Sequence, residues 1–114
     1  MQHKIEINIE LDESKMPVGI VWSAPSQGEN VISQEAKGML LSFFDLEHKD
    51  TFKIDLWTKD MQVEEMDRFM FQTLRALADT YLKATQNKSL ANDMQRFVSY
   101  FGESVEIIAN KKEE

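Results

Sequence analysis

The sequence predicts an α+β fold: a four-stranded antiparallel sheet followed by two helices packed on one of its faces. Two observations lead to this prediction. Apolar residues alternate with period two as far as Trp57, and from Val63 onward they recur at steps of three and four. Strands that all precede the helices are typical of α+β domains rather than of alternating α/β domains. The 114 residues are expected to form a single domain, 1–114.

The first two predicted strands form a hairpin. Residues 4–11 alternate strictly between apolar and polar side chains, as does a strand with one buried and one solvated face. The alternation resumes over residues 17–23 after a polar turn. Pro17 suits the first position of a strand because it has no N–H to donate inside a ladder. Residues 24–34 contain Pro, Gly, Asn and Ser and are expected to form a loop.

The third and fourth predicted strands, residues 35–45 and 51–57, form a second hairpin. The fourth strand alternates, whereas the third has apolar residues on both faces, namely Met39, Leu40, Leu41, Phe43 and Phe44. Strands that are apolar on both sides are usually covered on both sides. The third strand is therefore expected to lie centrally or to have both faces covered.

Two amphipathic helices are expected after Trp57. The first spans about residues 62–85, with its charged positions opposite an apolar stripe. Glu64 and Glu65 stand near its N-terminus, where the helix dipole favours negative charge. Ser89 is the expected N-cap of the second helix. Residues 109–114 are expected to form a frayed tail.

Composition excludes several classes of protein. The formal net charge is −7, and the Lys and Arg residues are scattered among acids, so no nucleic-acid-binding patch is expected. No apolar run approaches the ~18 residues that span a bilayer. Acids interrupt the opening segment MQHKIEINIE, so no export signal is expected and the protein is predicted to be cytoplasmic. The chain has no cysteine, which excludes thiolate metal sites and thiol catalysis.

No constellation of residues predicts catalysis, a cofactor or a metal. His48 lies in a turn with Asp45, Glu47 and Asp50, but this spacing lacks the glycine and the distal Glu of a calcium loop. A solvated turn is the favoured interpretation. Asp67 is the one acid within the apolar stripe of the first helix, and hydration or ion pairing is favoured over burial. The chain is therefore predicted not to be an enzyme.

The outer face of the sheet is the predicted interaction surface. Two helices cover only one face of a four-stranded sheet, so a surplus of apolar side chains is expected on the other. The candidate interaction residues are Val21, Leu40, Phe44, Asp55 and Trp57, with the row Met39, Leu41 and Phe43 as the alternative to Leu40 and Phe44. Such a patch usually marks an interaction site, and two-fold pairing of sheet faces predicts a homodimer or a higher oligomer. Trp57 is also expected to anchor the edge of the sheet.

Several segments resemble the GldC family of gliding-motility proteins of Bacteroidota. They are IDLWTKDM with the helix opening that follows it, QTL, ADTY, DMQRFVSYFGE and, at the start of the chain, IEINIELDESKMP. Gln62 stands where the family often has Pro. The resemblance implies a small cytoplasmic protein of gliding, a surface motility coupled to type IX secretion. It implies a protein partner in that apparatus and no catalytic residues.

A second functional hypothesis rests on analogy of fold alone. The predicted order of four strands and two helices, the acidic charge and the seven methionines are similar in outline to the export chaperone SecB. The alternative function is therefore a holdase-type chaperone.

Overall fold

The computed structural model describes residues 1–25 and 31–108. The chain divides after Met61 into two compact units. The first unit is built of strands and the second of helices, which confirms the α+β class. Residues 26–30 of the predicted loop 24–34 and the predicted frayed tail 109–114 lie outside the described residues.

The first unit contains two small antiparallel sheets rather than the single four-stranded sheet that the sequence predicts. One sheet has three strands in the order β1-β2-β3, and the other pairs β4 with β5. The strands are β1 (Glu6–Leu11), β2 (Pro17–Pro25), β3 (Val31–Ala36), β4 (Gly38–Phe44) and β5 (Thr51–Trp57).

The prediction of one sheet is wrong because the predicted third strand breaks at Lys37. Residues before Lys37 belong to β3 and pair with β2, and residues after it belong to β4 and pair with β5. β3 also includes residues that had been expected to form a loop. Their segment VIS holds β-branched residues, which suit a strand once a partner is present. That partner is β2, whose nine residues extend further than the sequence predicts.

The three-stranded sheet has one apolar and one polar face. On the apolar face Ile9, Ile20 and Ala36 lie side by side across the three strands. Ile20, on the central strand, is 2% exposed. The opposite face aligns Asn8, Val21 and Glu35.

The second unit is a pair of helices, α1 (Val63–Thr85) and α2 (Lys88–Ser104). The main-chain N–H of Gln62 donates to the carboxylate of Glu65 at 3.0 Å and closes the first turn of α1. Asn87, not Ser89, caps α2: its side-chain oxygen accepts the N–H of Leu90 at 3.1 Å. The predicted cap is wrong because α1 ends at Thr85, and the left-handed conformation of its C-cap, Gln86 (φ 60°), turns the chain directly before Asn87.

The core of the helical unit contains residues of both helices, three of which are alanine or glycine. Its buried residues are Phe71 and Ala78 of α1 and Ala91, Val98 and Gly102 of α2. α2 ends with the main-chain N–H of Ile107 donating to the carbonyl oxygen of Gly102 at 2.9 Å. Glu106 adopts the left-handed conformation that this C-terminal motif requires.

Replacing Gly102 with alanine should destabilise the helical unit. A Cβ at this position would lie 2.6 Å from Cε1 of Phe71 and 2.7 Å from Cδ1 of Ile108. The phenyl ring is buried and cannot move away at low cost, so overpacking should cost about 1–3 kcal/mol. About 1 kcal/mol of that is offset by the better helix propensity of alanine. Chemical denaturation measures the net loss.

The matched control is the double variant Gly102→Ala with Phe71→Leu. The shorter leucine vacates the position of Cε1, so the double variant should lose less than the sum of the two single losses. A Gly102→Ala variant as stable as the parent would contradict the close approach of Gly102 and Phe71.

Candidate functional site

Thr58, directly after β5, connects the two sheets of the first unit. Its main-chain N–H donates to the carbonyl oxygen of Lys37, the residue between β3 and β4, at 2.8 Å. Its hydroxyl lies 3.3 Å from the same oxygen and closer to Oδ1 of Asp60. The hydroxyl has one proton, and the nearer, charged carboxylate is the stronger acceptor. Thr58 itself is 3% exposed, whereas Lys37 and Asp60 are exposed residues, so these bonds are partly shielded from solvent.

Lys59 makes a second connection, to the β1–β2 hairpin. Its main-chain N–H donates to the carbonyl oxygen of Pro17 at 3.0 Å, and its Nζ lies 2.8 Å from Oδ2 of Asp12. The other oxygen of Asp12 accepts the N–H groups of Ser14 and Met16 within the hairpin turn. Thr58 and Lys59 therefore form a structural joint, with Asp60, between the end of β5 and the three-stranded sheet.

Hydrogen bonds set the ionisation of the two carboxylates of this joint. The hydroxyl of Thr58 lowers the pKa of Asp60, and the positive charge of Lys37 lowers it further. The pKa of Asp12 is lowered mainly by the ammonium of Lys59 and then by the N–H of Met16. Both carboxylates therefore favour the ionised form in the folded protein.

A polar depression of about 470 Å³ adjoins the joint on the three-stranded sheet. Its lining includes Thr58 and Asp60 from the joint, Lys37 between the sheets, and Glu10, Val21 and Glu35 from the strands. Val21, one of the predicted interaction residues, thus lies among charged side chains.

The predicted solvated turn at His48 is folded around Asp45. The Asp45 carboxylate accepts the main-chain N–H of His48 at 2.8 Å and lies 2.9 Å from its Nδ1. The N–H bond and then the imidazole lower the pKa of Asp45. Within residues 1–25 and 31–108, no three His, Cys, Asp or Glu side chains are grouped as a metal site would need. Asp67, in α1, is partly exposed.

The β4–β5 pair, called the ribbon below, has two faces of different character. Residues directly opposite each other in an antiparallel pair share a face. The apolar face consists of Met39 with Leu56, Leu41 with Ile54, and Phe43 with Phe52. The mixed face consists of Gly38 with Trp57, Leu40 with Asp55, Ser42 with Lys53, and Phe44 with Thr51.

The structure brings four of the five predicted interaction residues together on the mixed face: Leu40, Phe44, Asp55 and Trp57. Phe44 is 70% and Trp57 53% exposed. Trp57 is therefore less buried than a core anchor would be. The fifth residue, Val21, belongs to the other sheet.

Sequence reasoning missed Gly38 as a member of the mixed face, which also carries Lys53. Nζ of Lys53 lies 3.2 Å from Oδ2 of Asp55, two residues along the same strand. The period-two pattern places Lys53 beside Asp55 and Trp57, but only the register places Gly38 opposite Trp57. That register depends on the turn, in which the Asp45 N–H donates to the carbonyl of Asp50 at 2.8 Å.

Comparison with known proteins gives one match. The family described as "Gliding motility-associated protein GldC-like" matches residues 17–107, which is more than half of the chain and begins at the first residue of β2. The similarity of the opening segment, before Pro17, lies outside this match. No curated protein and no solved structure matches the chain. In the part of the chain that the structure describes, no helix is long and apolar enough to cross a membrane.

Replacing Thr58 with valine should destabilise the protein by about 1–2 kcal/mol. Valine keeps the shape and the main-chain bond to Lys37, but removes the hydroxyl that donates to Asp60. The control is Thr80→Val on the exposed surface of α1, which should change the free energy of unfolding by less than about 0.5 kcal/mol. Equal losses for the two variants would contradict the role of the Thr58 hydroxyl.

Acid should weaken the joint. Because the pKa of Asp60 is lower in the folded than in the unfolded chain, the unfolded state binds more protons as the solution is acidified. The contribution of Asp60 is complete above the ordinary aspartate pKa of about 4 and is lost as the pH falls through the lowered, native value. Asp60→Asn removes this contribution, so its melting temperature should decline less steeply between neutral and acid pH than the parent's. Parallel declines would contradict the prediction.

Proposed function

We propose that this chain, which belongs to the GldC-like family of gliding motility-associated proteins, is a non-enzymatic accessory protein that acts by binding other proteins. The family description supports the association with gliding. The mixed face of the ribbon supports the mode of action, since Phe44 and Trp57 expose more than half of their surface there. Exposed aromatic side chains on the same face of a sheet are typical of interaction sites.

The proposed partner is a component of the gliding or type IX secretion apparatus that is reached from the cytoplasm. The net charge of −7 disfavours nucleic acid and anionic membrane surfaces and favours a partner surface of basic character. The proposed interaction residues are those that the sequence predicts: Val21, Leu40, Phe44, Asp55 and Trp57. We further propose that the protein works as a homodimer or a higher oligomer.

Exposed apolar side chains on the other face of the ribbon favour a second candidate function, a holdase-type chaperone. Phe43 is 57% and Phe52 62% exposed, so apolar groups are accessible on both faces. A holdase binds unfolded chains through such surfaces. It should suppress the aggregation of an unrelated unfolded client at equimolar amounts, whereas an apparatus-specific factor should not.

Deleting the gene in a gliding bacterium that carries it should abolish or slow colony spreading. The parent sequence should restore spreading, and Phe44→Glu should not, because it places a charge on the mixed face. Affinity capture with the parent should retain an apparatus component that Phe44→Glu loses. Full spreading of the deletion strain would contradict the proposed role in gliding.

The neighbouring residue provides the matched comparison for Phe44→Glu. Phe43→Glu puts the same charge on the apolar face, whose six side chains are all apolar. Because Phe43 and Phe44 are 57% and 70% exposed, both variants should melt within a few degrees of the parent, and only Phe44→Glu should lose the partner. If both variants melt like the parent and both lose the partner, binding is not confined to the mixed face.

A further inference from the structure

We infer that the mixed face of the ribbon binds the mixed face of a second copy of this chain, with the two ribbons antiparallel and Lys53 of each opposite Asp55 of the other. The inference rests on the self-association proposed above and specifies its surface and its register. It follows from the order of residues along the two strands and from the distribution of charge over the chain.

The register of the ribbon makes the mixed face complementary to itself. A two-fold axis can lie between two stacked ribbons, perpendicular to the strands, at the level where Leu41 pairs with Ile54. Each strand then lies over its own copy and runs in the opposite direction. A residue three pairs above the axis on one copy then lies opposite the residue three pairs below it on the other copy. The same holds for residues one pair from the axis. Sheets stacked in this way are about 10 Å apart, which lets side chains of the two faces interdigitate.

Each pair across such an axis joins a large side chain to a small one, or a positive charge to a negative one. On β4, Phe44 lies opposite Gly38 of the second copy, and Leu40 lies opposite Ser42. On β5, Trp57 lies opposite Thr51, and Lys53 lies opposite Asp55. These four pairs follow from the observed register alone. Alternation of large and small residues across a contact is what close packing requires.

The other two-fold arrangement fits less well. If the axis ran parallel to the strands, β4 of one copy would lie over β5 of the other at the same level. Leu40 would then cover the carboxylate of Asp55, and Lys53 would lie opposite Ser42. Burying a carboxylate against an apolar side chain is costly, so the antiparallel arrangement is favoured.

Charge also favours a second copy as the occupant of this face. The chain carries a net charge of −7, so most of its surface repels another copy. The strands β4 and β5 contain one positive and one negative side chain, Lys53 and Asp55, and their charges cancel. By contrast, the polar face of the three-stranded sheet places Glu6, Glu10 and Glu35 on its strands. The mixed face is thus a surface on which two acidic molecules can meet without local repulsion.

The contact is small, so the dimer should be weak. The ribbon is seven residues long and two strands wide, so a contact confined to its mixed face buries less than the ~800 Å² per partner of a standard specific interface. Both aromatic side chains lie at the ends of the face, and the charged pair lies nearer its centre. Removal of the charge match should therefore be sufficient to separate the copies.

Sedimentation of the purified full chain at low salt, from micromolar to near-millimolar concentration, tests the inference. The parent should approach twice the subunit mass of 13.3 kDa. Asp55→Lys places two lysines opposite each other and should raise the dissociation constant at least about tenfold. The double variant Lys53→Asp with Asp55→Lys exchanges the charges, restores the opposite pairing and should recover the parent's dissociation constant.

Glu6→Lys is the matched control. Glu6 forms the equivalent ion pair with Lys4, two residues away, at 2.9 Å on the three-stranded sheet, and its replacement changes the net charge by the same amount as Asp55→Lys. It should not weaken the dimer. Circular dichroism confirms that each variant is folded. Should Asp55→Lys fail to fold, Lys53→Glu places two acids opposite each other and is measured instead.

A parent that stays monomeric at every concentration would overturn the inference. So would an Asp55→Lys variant that dimerises like the parent, or a charge-exchanged double variant that stays monomeric. These results are independent of the role in gliding, which is tested in cells. A dimer with the expected variant pattern in a protein whose deletion leaves spreading intact would uphold the inference and reject the proposed function.

Discussion

The sheet unit depends on the hydrogen bonds that Thr58 makes beside Lys37. The ribbon has only two strands, and an isolated two-stranded hairpin is marginally stable in water. The carbonyl of Lys37 lies where the chain passes from the three-stranded sheet into the ribbon, and the N–H of Thr58 reaches it at 2.8 Å from the end of β5. Lys59 adds a bond to Pro17 at 3.0 Å. Both strands of the ribbon are therefore joined to the larger sheet at the end where Gly38 pairs with Trp57: β4 through the chain at Lys37, and β5 through the bond from Lys59.

Burial makes this joint more effective than its number of bonds indicates. Thr58 is 3% exposed, although its acceptors belong to the exposed residues Lys37 and Asp60. A hydrogen bond that is partly shielded from water is stronger and costs more to break than a fully exposed one. The carboxylate of Asp60 gives the threonine hydroxyl a charged acceptor, which fixes the conformation of the segment leading out of the sheet. The acids of this segment, which a search for catalytic residues would notice first, thus have a structural role in the folded chain.

The ribbon carries the surplus of apolar surface that the joint holds in place. Its two faces differ because the register sorts the residues of β4 and β5 into one uniformly apolar row and one row with a charged pair. An acidic protein can associate with another copy, or with a second protein, only where its own charge is locally cancelled or complemented. The mixed face meets the first condition, and the negative side chains of the three-stranded sheet suit a basic partner.

The sequence by itself determined the elements whose pattern is local. Strict alternation placed β1 and β5, steps of three and four residues placed α1, and the segment around Trp57 indicated the family, because each of these signals lies within one short segment. Tertiary structure decided the break at Lys37, the pairing of β3 with β2, and the N-cap at Asn87. It also decided which residues face Trp57 across the ribbon. These features depend on a partner strand or a preceding turn that lies elsewhere in the chain. The periodicity of one segment does not specify which other segment it will pair with.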